Sequence, residues 1–528
     1  MRVFLIMCGL IGFISKNNIS MRSVLDTKYK SVLDRGVHFN RIDRKNESYG
    51  YSRLPTDAIN DTTLHEIKFF QNGFFLFNGH ISNTKDLSRM FDLSQECEFS
   101  DTKCIAEGFS LYKEKFLSSC RGMFAFAYCT KREVFLVRDT VGIKPLYYVN
   151  SDNFFGFCSE MKGLTTEFKN QIHEVLPGEI VIYNKSTKII TKKKYIFKSY
   201  KNYSKDDLHT CLYESVVSPT KRYLRQSEKN NIGILVSGGV DSSLLIGMLN
   251  KYLSKKEKKR VIGFCIGKLS ASDTYITRKL AKELDIKLVF VKPYGERKSV
   301  DKIPEIVYKV ESAFSRVIKV ALLQDALAEQ LQKRGIHVVI SGEGADELFY
   351  GYERFINGLR KKDIETIFSY FFNNVFYNTL LQRFERIFAK RQIEGRVPFL
   401  DQELVILANK FTTDEKIKYY DTMLSKMPLR NLAKKIGLPA YIYLRQKVKM
   451  TEGVTKLKNA ESENGYLEAS IKKQLNKTFG MYVYESYAKY EYTALSAESF
   501  LGTEEEAMRQ VTLLQKQNRQ EKGVFYYE

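Results

Sequence analysis

The chain's eight cysteines, at 8, 97, 104, 120, 129, 158, 211 and 265, include no C-x-x-C pair. That excludes the usual zinc-ribbon and redox spacings. Six of the eight fall before position 160, several inside apolar runs, which predicts reduced, buried thiols and no disulfide framework. No apolar run is long enough to span a bilayer, so no membrane partner is expected. Met1-Arg2 and the apolar stretch Val3–Ile14 have the charge and length of a short signal peptide. They lack its small-x-small cleavage site, because Ser15-Lys16-Asn17-Asn18 follows. Met7 is also not the small residue that precedes a lipidated cysteine, so a cytoplasmic location is expected. The net charge of +23 has no focus. Lysine and arginine are spread along the whole chain, and the densest run, Lys255–Arg260, reads as a solvated loop. No nucleic-acid partner is expected.

A length of 528 residues exceeds one hydrophobic core and predicts two or more domains. The chain is organised around Ile232-Gly-Ile-Leu-Val-Ser-Gly-Gly-Val-Asp-Ser-Ser-Leu244. Ile232–Val236 reads as a buried parallel strand, and Ser242–Leu249 as a helix. Glycines between them let the backbone approach a ligand, and the helix start offers N–H groups to an anion. The Gly-Lys-Ser/Thr of a Walker loop is missing. Ser-Gly-Gly-x-Asp-Ser instead resembles the PP-loop of ATP pyrophosphatases, which cleave ATP between the α and β phosphates. The resemblance implies ATP contacts at Leu235, Ser237, Gly238, Gly239 and Ser242, with Asp241 available for a metal.

In the first half, Met7-Cys8-Gly9-Leu10-Ile11-Gly12-Phe13 reads as a strand with a thiol at its start. If Cys8 were the mature N-terminus, its own α-amine, with a reference pKa of roughly 7.7–8.0, would sit beside the sulfur as a base. This segment resembles the start of glutamine-hydrolysing asparagine synthetases and related class II glutamine amidotransferases. Further pieces follow in the family's order: Arg35-Gly36, Gly50-Tyr-Ser-Arg53-Leu54, Asn78-Gly79-His80-Ile81-Ser82-Asn83, Ser100-Asp101-Thr102, Arg121–Ala127, Arg138–Tyr147, Phe157–Lys162 and Pro177-Gly178. The resemblance implies that Asn78 and the Gly79 N–H form an oxyanion hole. It implies that Arg53 pairs with the glutamine α-carboxylate and that Asp101 holds its α-ammonium, with His80 in the adjoining position.

Three departures mark this half. Six residues precede Met7, so translation from Met7, removal of Met1–Met7 or an inactive glutaminase are the alternatives; translation from Met7 is expected. His80 stands where the family has glutamate. Val37-His38 replaces Pro-Asp after Arg35-Gly36.

Lys185–Lys205 is polar and lysine-rich and reads as a link. From Asp206 a helix with Leu208, Leu212, Val216 and Val217 on one face opens the second half. Strands at Val261–Ile266, Lys287–Val291 and His337–Ser341 alternate with helices, which predicts a parallel sheet with ligands at the strand C-terminal ends. Ser341-Gly342-Glu343-Gly344-Ala345-Asp346-Glu347-Leu348-Phe349-Tyr350-Gly351-Tyr352 resembles the asparagine synthetase signature, with Tyr350 in place of glycine. Ser341 and Gly342 join the expected ATP contacts. Asp241 and Asp346 are expected to hold Mg²⁺ against the polyphosphate, and Glu343 to handle the proton of ammonia. Glu394–Asp401, Lys426-Met-Pro-Leu-Arg430 and Leu438-Pro439…Arg445-Gln446-Lys447 extend the match, and Lys447 is implied as the cation for the adenylation transition state.

The expected architecture is therefore two-domain α+β and α/β. An N-terminal-nucleophile αββα sandwich (7–195) precedes an α/β PP-loop domain with a parallel sheet (206–455). A helical extension (456–528) carries no assigned chemistry. The expected reaction is ATP-dependent amidation of aspartate with glutamine as nitrogen donor, through an acyl-adenylate. Another carboxylate, such as a sugar uronic acid, or an ammonia-using or non-catalytic relative, are the alternatives. Substrates would be small molecules; the sequence leaves the oligomeric state open, a homodimer being one option. Ser315 and Arg316 are candidates for contacting an acidic acceptor.

Overall fold

A computed structural model describes residues 6–36, 38–54, 68–70, 73–164, 172–267, 271–312, 315–353, 359–418 and 424–446. Its N-terminal part holds twelve strands among the described residues. They are β1 (Ile6–Ser15), β2 (His38–Arg44), β3 (Glu47–Leu54), β4 (Lys68–Phe70), β5 (Gly73–Ile81), β6 (Gly122–Thr130), β7 (Glu133–Arg138), β8 (Tyr147–Asn150), β9 (Phe154–Cys158), β10 (Ile172–Glu174), β11 (Glu179–Asn184) and β12 (Ile190–Lys194). They form two antiparallel sheets, ordered β10-β8-β9-β1-β3-β2 and β12-β11-β7-β6-β5-β4. The sheets pack face to face through β1 and β5. Tyr49, Phe74, Phe124, Phe126, Phe155 and Phe157 belong to the core between them. The helix Arg22–Lys28 covers one outer face and Asp101–Tyr112 the other, giving the expected αββα sandwich. β5 and β6 are buried almost throughout, which is why their sequences read as continuous apolar runs and not as alternating ones.

The lysine-rich stretch read as a link contains β12, the sheet's edge strand, paired to β11. An outermost strand needs little apolar surface, and its lysines discourage pairing with another chain. That composition masked it in the sequence. The seven described cysteines are free and buried, as expected.

The second part is built on β13 (Ile232–Leu235), β14 (Val261–Ile266), β15 (Lys287–Val291), β16 (Val338–Ile340) and β17 (Glu394–Arg396). All neighbours are parallel, in the order β15-β14-β13-β16-β17. The chain winds one way from β13 through β14 to β15 and the other way to β16 and β17. A crevice therefore opens at the C-terminal ends of β13 and β16, the place where ligands bind in such sheets.

Buried charge joins the two parts. Arg35, fully buried, pairs with Glu160 of its own domain and with Glu385 of the second. Arg386 meets Glu311 at 2.7 Å and the Tyr147 hydroxyl at 2.8 Å. On another side Arg121 bridges Glu214 and Asp401, at 2.9 Å each. Gln402 exchanges two hydrogen bonds with the Gly122 backbone, at 2.8 and 2.6 Å. Buried ions left without partners are strongly unfavourable, so these contacts fix how the domains meet.

Candidate active sites

The N-terminal site lies where β1 faces β5. β1 pairs with β3 with Met7 opposite Arg53, and the register slips between Met7 and Gly9, which puts Cys8 in a bulge. A bulge turns a residue out of the regular alternation and is common beside functional groups. The side chains of Cys8 and Arg53 lie outside the described residues.

Asn78 and His80 are two apart on β5, so both project from the same face. Asn78 is buried, and neither its Oδ1 nor its Nδ2 has a hydrogen-bond partner among the described residues. Leaving a buried amide unsatisfied costs about 1–3 kcal/mol, so it marks a place for a ligand. Gly79 has φ +148°, and a Cβ there would collide with the Met123 carbonyl oxygen and Phe124. Any side chain at 79 would push β5 off β6.

The departure at position 80 has a structural consequence. His80 Nδ1 lies 2.6 Å from Asp101 Oδ2, and the same oxygen accepts from the Ile81 N–H at 2.9 Å. Asp101, expected to hold the glutamine ammonium, is thus partly engaged by the imidazole. Its Oδ1 and the His80 Nε2 remain without partners among the described residues.

The second site is a cavity of about 310 Å³ at the crevice between β13 and β16. Leu235, Ser237, Gly239, Asp241, Ser242, Ser341, Gly342, Glu343 and Asp346 all line it, bringing together nearly every residue singled out in this half. Gly238 does not line it. Its left-handed turn (φ +69°) presents its carbonyl to Arg445 Nη1 at 3.1 Å. Ser242 Oγ accepts from the Ser237 N–H at 3.1 Å, closing the loop at the start of the helix Val240–Tyr252.

Glu343 faces the helices Ser315–Gln332 and Leu380–Ala389. Gln324 Nε2 donates to its Oε1 at 3.2 Å, and Arg383 Nη2 lies 3.6 Å from the same oxygen. Arg383 Nε in turn donates to Gln324 Oε1 at 3.1 Å. Glu347, one residue beyond Asp346, is buried and hydrogen-bonded by the Tyr352 hydroxyl. Burial, then repulsion from Asp346, pushes its carboxyl up to about 7.

Asp241 and Asp346 converge from two loops on one cation. Lys426 Nζ lies 2.5 Å from each. Burial would lower this ammonium, but the two aspartates outweigh that and hold it above the ordinary lysine value. The geometry therefore already supports a cation between two hard carboxylates, the donor type that suits Mg²⁺. Among the described residues no group of three or more His, Cys, Asp or Glu could hold a metal. Two carboxylates completed by phosphate and water oxygens is the usual Mg²⁺ arrangement.

Lys447 lies outside the described residues. Its neighbours Arg445 and Gln446 line the cavity, and Arg445 is tied down by Asp273. The Ser315 and Arg316 side chains also lie outside the described residues. Four participants went unassigned in the sequence: Asp273, Gln324, Arg383 and Lys426. Lys426 was visible only as one letter of a motif. Gln324 and Arg383 sit in helices, Ser315–Gln332 and Leu380–Ala389, whose own patterns say nothing about a partner in the other.

Comparison with known proteins agrees with both halves. The family model described as a glutamine amidotransferase domain matches residues 7–214. The model described as asparagine synthase matches 222–367 and 357–517, more than half of the chain and well past the last motif noted above. A relative from Methanocaldococcus jannaschii is 29% identical over 78% of this chain and 82% of its own length. One from Arabidopsis thaliana, named glutamine-hydrolysing asparagine synthetase 2, is 27% identical over 85% of this chain and 79% of its own. One from Gallus gallus, named glutamine-hydrolysing asparagine synthetase, is 27% identical over 78% of each. Among the described residues no helix is long and apolar enough to cross a membrane. The chain belongs to the asparagine synthase family, with a glutamine amidotransferase domain preceding the synthase domain.

Proposed function

We propose that this protein amidates aspartate to asparagine, taking nitrogen from glutamine and energy from cleavage of ATP to AMP and pyrophosphate. The observation that carries the reading is the convergence of the Ser237–Ser242 loop, Asp241, Asp346 and Glu343 on one cavity, in a chain whose other half buries an Asn78 amide unpartnered among the described residues.

In the first site Cys8 attacks the glutamine amide carbon, ammonia leaves with a proton from the thiol, and water hydrolyses the resulting γ-glutamyl thioester to glutamate, freeing Cys8. Asn78 and the Gly79 N–H receive the developing oxyanion, and the paired Asp101 receives the substrate ammonium. In the second, the loop hydroxyls of Ser237 and Ser242 and the backbone around Gly239 hold the ATP phosphates. The acceptor carboxylate attacks the α-phosphorus and pyrophosphate leaves, with Lys447 neutralising it. Ammonia then attacks the acyl-adenylate, Glu343 takes the proton, and AMP departs. Asp241 and Asp346 would hold Mg²⁺, which when bound offsets polyphosphate charge.

A second reading, amidation of a different carboxylate such as a sugar uronic acid, is favoured by one observation. Arg383 faces Glu343 from the helix pair, and Glu343 and Gln324 already engage it. Beside it Val320, Leu327 and Leu380 line the cavity. Among the described residues the other cations that line the cavity, Lys426, Arg430 and Arg445, are already paired with Asp241 and Asp346, with Glu353 and with Asp273, which leaves none committed to the α-carboxylate of an amino acid. The test is pyrophosphate release from ATP with aspartate, using glutamine or ammonium as donor. Aspartate-dependent release with asparagine as product is expected. Glutamine hydrolysis without aspartate-dependent release would reject aspartate and favour the second reading.

A further inference from the structure

Lys426 stands out because three features build it into its position. Its backbone is left-handed (φ +57°, ψ +35°) just before the helix Met427–Lys435, a conformation that a lysine rarely adopts. It is held there by its own N–H donating to the Phe349 carbonyl at 3.2 Å. The preceding Ser425 contributes two hydrogen bonds to Glu353, 2.9 Å each from its N–H and hydroxyl. The side chain passes over Gly351, where a Cβ would collide with both Lys426 Cε and Asp346 Oδ1. The side chain is 3% exposed, and at its tip the ammonium joins Asp241 and Asp346, which come from different loops. Unusual backbone that is fixed by several bonds points to function, not accident.

We propose that Lys426 is a resident cation that holds the two aspartates in the absence of nucleotide and keeps a free divalent ion out. A divalent ion approaching Asp241 and Asp346 meets a fixed positive charge in the position it would take. When ATP arrives, its phosphates offer the ammonium a new anionic partner, and the carboxylates become available to the ion that the nucleotide carries. The metal then enters with ATP and not ahead of it. The same ammonium ties the Ser237–Ser242 loop to the Ser341–Asp346 loop, so the empty site keeps the spacing that the loaded one requires. Lys426 is in this sense a positioning residue, distinct from Lys447.

This inference rests on the ATP reading of the cavity, and its test separates the two. Mn²⁺ binding is followed by electron paramagnetic resonance on the full chain, with no nucleotide and then with a non-hydrolysable ATP analogue. The native protein should bind Mn²⁺ alone at least tenfold more weakly than with the analogue. Lys426→Gln, which removes the charge and keeps hydrogen-bonding capacity, should bind Mn²⁺ alone at least tenfold more tightly than the native protein. Where that variant does not fold, the native protein's melting temperature carries the test, and Mn²⁺ alone should leave it unchanged. Tight Mn²⁺ binding by the native protein without nucleotide, or no gain in Lys426→Gln, overturns the proposal. Absence of Mn²⁺ binding even with the analogue would instead reject the ATP site itself.

Discussion

In the N-terminal domain the Asn78 amide is buried with neither atom partnered among the described residues, whereas in the synthase domain Asp241, Asp346 and Lys426 bind one another across two loops. The first site holds a neutral amide, for which the proposed partner is a transient oxyanion. A permanent partner for Asn78 would have to be displaced in each turnover. The second site gathers full charges, and two half-buried carboxylates facing each other without a cation would repel. A resident ammonium resolves that repulsion until substrate comes. Neutral groups can wait unsatisfied at a cost of about 1–3 kcal/mol, while buried charges cannot.

The contrast breaks most clearly at Glu343. Glu343→Gln should lower product formation by about 10²–10⁴-fold with either nitrogen donor, the usual range for removing a general acid or base. Glutamine hydrolysis should persist. Equal loss of both activities, in a steady-state assay of each, would mean that Glu343 supports the fold and not the chemistry.

Asn78→Ala sharpens the other side. It should reduce glutamine-dependent synthesis by about 10²–10³-fold, as for one lost oxyanion donor. Ammonium-dependent synthesis should not change. A parallel fall with ammonium would show that the two sites do not act separately.

Glu347 tests how charge is managed in the synthase site. Its carboxyl is raised to about 7 by burial first and Asp346 second. The folded protein thus keeps a proton that the unfolded chain loses above its ordinary value of about 4.5. More protons bound in the folded state means that stability falls as pH rises from about 4.5 to about 7, by up to about 3 kcal/mol. Thermal melting of the metal-free protein should show this slope, and Glu347→Gln should flatten it. An unchanged slope in the variant would assign the pH dependence elsewhere.

The smallest expected effect is at His80. His80→Glu restores the acidic residue of the family's pattern beside the proposed ammonium site, and should lower the KM for glutamine by about tenfold, a single charge-assisted contact. A KM that stays put would mean that Asp101 alone suffices for the ammonium, despite its bond to His80.

Much of this was legible in the sequence because the candidate residues lie in contiguous loops. Ser237–Ser242 and Ser341–Asp346 each follow a short apolar strand, and strand–loop–helix order alone puts both at the same sheet edge. The parallel sheet followed from the same alternation. The β12 strand did not show, because an exposed edge strand of lysines has no apolar period to read. Nor did the Gln324–Arg383–Glu343 cluster, whose members lie on three elements and meet only through tertiary packing. Arg35 read as part of a turn, yet it is a fully buried tie to Glu385, 350 residues away. His80 was visible as a departure from the family pattern, but its pairing with Asp101 required the geometry of β5 against the helix Asp101–Tyr112.

The central claim is that nitrogen released at the first site is used at the second. Amide-¹⁵N glutamine should be supplied with ATP, Mg²⁺, aspartate and an excess of unlabelled ammonium, and the product amide analysed by mass spectrometry. Enrichment of ¹⁵N well above its share of the total ammonia pool is the predicted result. An amide labelled only in proportion to that pool, with glutamine still hydrolysed, would contradict the claim.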